Sequence, residues 1–353
     1  MTSPREPASV VASLDRFVAA ELGYRMPAEF EPIAAVWLAK PHNRETWPGC
    51  FELAAAQHAA FVAALEKVIK VELIGRDHAW PVNDSWIRDY GPIYVVQPRA
   101  AARKPQPSSL AIHDFVFNGW GGKYGNEYAE DDIVPRHIAA LQGLPVWTHE
   151  MVLEGGSIEV NGRGTVMTTA QCLLNPNRNS HLTRSQIEAE LHGALGTRHC
   201  IWLPGGIVGD DTDGHIDDIA RFVSPTTVLA SRAPAGHSDY AVLEENFQTL
   251  RTARDQDGRK LEVIELPVPD PILYCFPADR FGPGGENPVP ASYANFLIVN
   301  KHIFVPTFGQ QRDEAALKVI EKTSGLSVVP VRSESLVVGL GALHCLSIQQ
   351  PVA

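Results

Sequence analysis

The sequence predicts an α/β fold in which a helix-then-strand module is used five times. Two observations predict it. Helical periodicity occurs in five stretches, and each is followed by a short apolar run of strand type. Gly (28) and Pro (27) are spread evenly along the chain, so turns are many and elements short. No sequence identity between the units is visible, so the repeat rests on pattern alone, and an ordinary α/β sheet fits the same pattern.

Residues 52–67 set Leu53, Phe61, Leu65 and Val68 on roughly one helical face, with a strand run at Val71, Leu73 and Ile74. Residues 128–141 are a weaker helical stretch, followed by Pro145-Val146-Trp147. Thr183-Arg184-Ser185-Gln186 is a capping box that opens a helix over 187–195, and Gly196 stops it. Cys200-Ile201-Trp202 follows as a strand. Residues 240–250 precede a run at Leu261, Val263 and Ile264. Residues 313–323, closed by Gly325, precede Leu326, Val328 and Val329. Additional strand-like runs lie at 93–96, 166–169, 296–299 and 303–305. Residues 98–109 and 279–290 read as exposed loops. No low-complexity linker divides the chain, so 1–353 is read as a single domain.

Composition narrows the function classes. Apolar residues make up 44% and charged residues 20%, which excludes a disordered or fibrous chain. No apolar run approaches the roughly 18 residues that a membrane span needs. Near the N-terminus only Val10-Val11-Ala12 is apolar, too short for a signal-peptide core, and a cytoplasmic protein is expected. The net charge is −11, from 30 basic against 41 acidic residues. That balance disfavours nucleic acid or an anionic membrane as partner and favours a cationic ligand. The five cysteines are odd in number and form no CxxC pair, against a disulfide framework or a zinc knuckle.

The loops after four of the five post-helix strands hold the densest polar groups. If the modules form a ring, equivalent loops converge and one site gathers Asp89, Glu154, His215, Asp217 and Cys345. Each group also has a plainer reading. The acidic run 210–218 fails as a calcium loop, because a central Gly214 puts Gly209 at position 1 and Ala220 at position 12. His215 and Asp217 are two ligands for a transition metal, yet no H-E-x-x-H partner exists, and no metal is expected. They also fit a solvated acidic turn, or an acid/base pair. Residues 339–345 imitate G-x-G-x-x-G, but His344 replaces the third Gly and no βαβ unit follows. Most lone cysteines are inert buried thiols, and Cys50, Cys172, Cys200 and Cys275 are read so. Cys345 is set apart by its glycine-rich approach and by His344. Trp86-Ile87-Arg88-Asp89 alone is a packed aromatic with an ion pair, and Glu154 before two glycines is a turn. Together, three carboxylates, a His and a Cys suit a substrate that is itself a cation. Carboxylates grip a guanidinium bidentately and keep its carbon electrophilic, and a thiol beside a cation is drawn toward thiolate.

These motifs resemble the agmatine deiminase and bacterial-type peptidyl-arginine deiminase family of the guanidine-modifying (pentein) superfamily. The resemblance runs from M-P-A-E-F-E-P at 26–32 and P-H-N-R-E-T-W-P-G at 41–49 through N-D-S-W-I-R-D-Y-G-P at 83–92 and F-N-G-W-G-G-K at 117–123. It continues with E-G-G-S at 154–157, C-L-L-N-P-N-R-N at 172–179, T-D-G-H-I-D at 212–217, S-Y-A-N-F at 292–296 and L-H-C at 343–345. It implies a five-bladed α/β propeller with pseudo-fivefold symmetry and no cofactor. It implies Cys345 as nucleophile, His215 as general acid/base, Glu154 as the carboxylate beside it, and Asp89 and Asp217 as guanidinium clamps. Trp86 and Trp120, which lie in matched motifs, are expected at the substrate. The implied reaction turns agmatine, a small cationic guanidine, into N-carbamoylputrescine and ammonia, a step in putrescine and polyamine synthesis. A homodimer is the one assembly considered.

The chain departs from the family pattern G-G-G-N, with Leu340 at the second Gly and Ala342 at the Asn. This leaves the substrate tail open. Free or peptidyl arginine would need a basic residue near the mouth, for which Arg88, Lys123, Arg178 and Arg221 are candidates. Another alkylguanidine, amidino transfer to an amine, and cation binding without catalysis are the other readings. Leu340 and Ala342 are expected to line an apolar pocket.

Overall fold

The computed structural model describes residues 18–97, 108–124, 128–278 and 284–353. Five helices form where periodicity places them, at Phe51–Leu65, Val134–Gln142, Arg184–Leu195, Tyr240–Thr252 and Gln311–Ser324. The Thr183 capping box is present, and Gly143, Gly196 and Gly325 close their helices in left-handed conformation. The stretch over 128–141 is two helices rather than one, Ala129–Asp132 and Val134–Gln142. Pro135 stands in the first turn of the second, where its missing N–H costs nothing. The first helix buries Phe61 and Leu65 as expected, and Val68 just beyond it packs against the core, but the inward face is shifted away from Leu53. Leu53 is 63% exposed, and Ala54, His58, Phe61, Val62 and Leu65 are buried. Its many alanines make both faces apolar, so periodicity alone does not choose between them.

Each helix connects the second and third strands of a three-stranded sheet. Among the described residues there are five such sheets and one separate two-stranded hairpin. In chain order the second strands are Ile33–Ala39, Leu110–Val116, Thr165–Thr169, Thr227–Arg232 and His302–Thr307. The third strands are Lys70–Ile74, Val146–Val152, His199–Leu203, Glu262–Pro267 and Ser327–Arg332. Every second strand runs parallel to its third, as a helical crossover requires. Every first strand is antiparallel to the second. These are Ile93–Val96, Glu159–Val160, Ala220–Phe222 and Leu297–Val299 in four sheets. In the remaining sheet the role falls to the C-terminal strand Ser347–Pro351, which pairs Ile348 with Trp37. The two ends of the described chain therefore meet in one sheet.

Three second strands escape sequence reading. Leu110–Val116 buries His113 and Asp114 among its apolar residues. Thr227–Arg232 ends in Ser231 and Arg232, and Ile33–Ala39 is an unbroken apolar run that fits helix or strand equally. The loop expected over 279–290 is corrected in part, because Gly285–Val289 is a strand paired with Ile272–Phe276. Residues 279–283 lie outside the described residues, as do 98–107 of the other expected loop.

Between the third strand of one sheet and the first strand of the next, the chain makes a buried turn. Ile87–Tyr90, Gly155–Ser157 and Ile216–Asp218 are short helical turns of this kind. Residues 292–295 and 340–345 occupy the same place before Leu297–Val299 and Ser347–Pro351. All five connections carry residues of the site described next.

Candidate active site

Asp89 lies within the first turn and is 4% exposed. Its Oδ2 accepts from Trp120 Nε1 at 2.9 Å and its Oδ1 from the Gly156 N–H at 3.0 Å. Its Oδ1 is 3.5 Å from His215 Nδ1. A Cβ on Gly156 would sit 2.6 Å from His215 Nδ1 and 2.7 Å from Asp89 Oδ1, so the second turn needs glycine to let these groups meet. Glu154, wholly buried, accepts from Arg178 Nε at 2.7 Å through Oε1. Its Oε2 has no hydrogen-bond partner among the described residues, and neither has either ring nitrogen of His215. Asp217 accepts from His344 Nδ1 at 2.7 Å, and the Cys345 Sγ is 3.6 Å from the same oxygen. The five residues expected from sequence are thus one cluster.

A cavity of about 620 Å³ opens over it, and Asp89, Cys345, Trp86 and Trp120 are among its lining residues. Trp86 is held by Trp47, with ring centroids 5.5 Å apart, and Trp120 adopts a left-handed backbone, φ 53°, that turns its indole to Asp89. Leu340 lines this cavity as expected, but Ala342 does not and is buried behind it. Asp84 and Asp211 also line the cavity, and burial pushes each up to about 6. No Lys or Arg among the described residues lines it. The four candidates for a substrate carboxylate are engaged elsewhere. Arg88 donates to the His344 carbonyl and to Gln349, and Arg178 to Glu154 and Asp213. Arg221 is buried between Glu29 and Glu159, and Lys123 pairs with Asp213.

Electrostatics follow from burial against charge. Burial opposes charge on His215, but Asp89, the Cys172 thiol and Glu154 outweigh it and hold the ring well above its ordinary pKa. Burial raises Asp89 to about 6, helped by Asp217 and Glu154 and opposed by His215 and Trp120. Burial also works against the Asp217 carboxylate, yet the His344 hydrogen bond and charge, with His215 and Arg221, carry it below the usual range. Cys345 is pushed well up by burial and then by Asp217, Asp218 and Asp89. These influences favour the thiol form, and a cation beside it favours the thiolate.

Three contacts escape sequence reading. Asn295 Nδ2 donates to Cys345 Sγ at 3.0 Å, and its Oδ1 accepts from the His344 N–H at 3.0 Å. It is the fourth turn's contribution, and it lies in the matched S-Y-A-N-F stretch at 292–296, to which sequence reading assigns no role. Cys172, read as inert, lies against His215. Its sulfur, one oxygen of Glu154 and one nitrogen of His215 lie within 4.8 Å of one another. That donor set is one divalent metals accept, although Arg178 already engages one oxygen of Glu154. Arg178 itself, tying Glu154 to the 212–213 loop, is the third.

The family model of the Porphyromonas-type peptidyl-arginine deiminases matches residues 25–351. The chain belongs to this family. Among curated relatives of this deiminase chain are an agmatine deiminase of Medicago truncatula, 37% identical over 93% of the chain and 96% of the relative, and one of Stutzerimonas stutzeri, 36% identical over the same shares. An agmatine deiminase of Enterococcus faecalis, solved while catalysing its reaction, superposes with a TM-score of 0.86 at 28% identity. It covers 97% of this chain and 98% of its own. A dimethylarginine dimethylaminohydrolase shares the fold alone, at TM-score 0.53 and 13% identity over 90% of this chain and 99% of its own. The deiminase chain therefore has the α/β pentein fold.

Proposed function

We propose that the protein hydrolyses agmatine to N-carbamoylputrescine and ammonia. The observation that carries this is the cavity itself. Asp89, Asp84, Asp211 and Cys345 are among its lining with no described cation there, and Asp217 lies behind the lining, 3.6 Å from Cys345 Sγ. A guanidinium with a second positive charge at its far end is matched, and a substrate carboxylate is not. We read the five sheets as blades of a propeller with pseudo-fivefold symmetry, and the whole chain as one catalytic unit. Support for both comes from the five equivalent turns and from the pairing of the C-terminal strand with Ile33–Ala39.

The roles follow the geometry. Asp89 and Asp217 clamp the guanidinium N–H edges, and Trp86 and Trp120 flank it. The entering cation offsets the carboxylates that keep Cys345 protonated, and the thiol proton passes to solvent in the open cavity, to end on the released ammonia, as sulfur attacks the guanidinium carbon. A C–S bond forms and a tetrahedral adduct results. His215, protonated under the influence of Asp89 and Glu154, gives a proton to the departing nitrogen, and the C–N bond breaks to release ammonia. The remaining S-alkylthiouronium is attacked by water, which His215 deprotonates. The C–S bond breaks, leaving the neutral ureido product and Cys345. One water is consumed and no electrons are transferred.

A competition panel of agmatine, arginine, a blocked arginine peptide and simple alkylguanidines tests the substrate, scored by ammonia and ureido product. Agmatine is expected to exceed free arginine by at least about tenfold in kcat/KM, roughly 1.4 kcal/mol of discrimination. Faster turnover of arginine or the peptide would overturn the assignment. Putrescine released without ammonia, and only when an amine acceptor is added, would indicate amidino transfer instead.

A further inference from the structure

His344 is the neighbour of Cys345 and is 1% exposed, and its ring lies in a row of charged groups. Its Nδ1 is 2.7 Å from Asp217 Oδ2 and its Nε2 is 2.7 Å from Glu29 Oε2. A neutral imidazole has one donor and one acceptor, and an ionised carboxylate only accepts. Both contacts are hydrogen bonds at once only if both ring nitrogens carry hydrogen, or if one carboxyl does. Glu29 leaves little room for a proton. Its Oε2 receives Arg221 Nη2 at 2.5 Å, and its Oε1 receives the Ile298 N–H at 2.6 Å. Arg221 is in turn fixed by Glu159 at 3.0 Å and by the carbonyls of Ala294 and Phe296. The row Arg221, Glu29, His344, Asp217 thus alternates in sign and ends at the guanidinium clamp. Asp217 Oδ1 has no hydrogen-bond partner among the described residues, so the row engages one oxygen and leaves the other for a ligand.

We propose that His344 is a positioning residue for the reaction, an imidazolium held between Glu29 and Asp217 that keeps the Asp217 carboxylate charged and turned toward the substrate. The proposal rests on the deiminase reading above. His344 touches no reacting atom; it acts through Asp217. Other groups facing Asp217 are His215 and Asp218 on its own turn, Asp89 from the first turn, Cys345 from the last, and Arg221 and Arg88. Those facing His344 are Glu29, Asp217 and Glu159. With burial opposing its charge and Asp89 nearby, loss of the His344 hydrogen bond and charge raises the proton affinity of Asp217.

The test compares the full-length wild type with His344→Asn, whose amide N–H retains a bond toward Asp217 while losing the charge. In the variant KM for agmatine should rise and kcat/KM fall by roughly 10²-fold. Its acidic limb should steepen and move up by about one pH unit, because a second carboxylate now protonates in that range. A folded variant with wild-type kcat/KM, or with lower activity on an unmoved acidic limb, would overturn the proposal. Nitrogen NMR of the wild type gives a readout that needs no variant. His344 should show a hydrogen on both ring nitrogens in the free protein, as its two carboxylate contacts require, and a hydrogen on only one of them would also overturn it. Should the wild type prefer another guanidine over agmatine, the substrate reading fails, and the same profiles measured with that guanidine still decide the role of His344.

Discussion

Asp89 carries the sharpest consequence at the scale of single residues. Its carboxyl is held up to about 6 by burial and by Asp217 and Glu154. An ordinary Asp titrates near 3.9, so the folded protein binds this proton more tightly than the unfolded chain. Ionised Asp89 therefore subtracts from stability as pH rises from about 4 to about 6, and protonation on the way down restores it. Function has the opposite sign, because a guanidinium needs the charged form. The profile of kcat/KM, which reports the free enzyme, is expected to lose activity below an acidic midpoint near about 6. A midpoint near the ordinary Asp range would mean that burial does not govern this clamp. The same balance explains why Cys345 is best left as a thiol until substrate enters. A resident thiolate beside Asp89 and Asp217 would add a further negative charge to a buried site.

Among elements, the glycine-rich approach to Cys345 carries a non-glycine residue where the backbone favours glycine. Leu340 has φ 70°, a conformation that costs a non-glycine residue about 1–2 kcal/mol. Gly341 could not carry a side chain, since a Cβ there would lie 2.6 Å from the Trp86 ring. Replacing Leu340 by Ala removes packing and keeps the strain, whereas Gly removes both. Leu340→Gly is therefore expected to unfold later than Leu340→Ala, by about 1 kcal/mol in chemical denaturation. Equal stability would show that the turn relaxes around the side chain. This turn also shows what could be read from sequence. Cys345, His215, Glu154, Asp89 and Asp217 stood out because each follows a strand run in a polar loop, and the loops do converge. The helices were legible wherever caps marked them, as at Thr183 and Gly196. The partners behind the site were not. Asn295 reaches Cys345 from 50 residues away and Glu29 reaches His344 from 315, while Cys172 meets His215 from a different turn. No local period or spacing encodes a contact made only when five turns meet.

For the molecule as a whole, one feature dominates. Turns from five sheets bring Asp89, Glu154, His215 with Asp217, Asn295 and Cys345 to one cluster beneath a single cavity, so no module holds a complete site. Among the described residues no helix is long and apolar enough to cross a membrane. Two buried thiols flank the cluster, Cys345 beside Asp217 and Cys172 beside His215. The central claim is that the first of them takes up the amidino carbon. Rapid acid quenching during agmatine turnover, followed by peptide mass spectrometry, locates the covalent intermediate. The account predicts a thiouronium adduct on the peptide carrying Cys345, absent from Cys345→Ala, whose turnover falls by roughly 10⁴-fold or more. An adduct on Cys172, or a Cys345→Ala protein that releases ammonia at the wild-type rate, would contradict it.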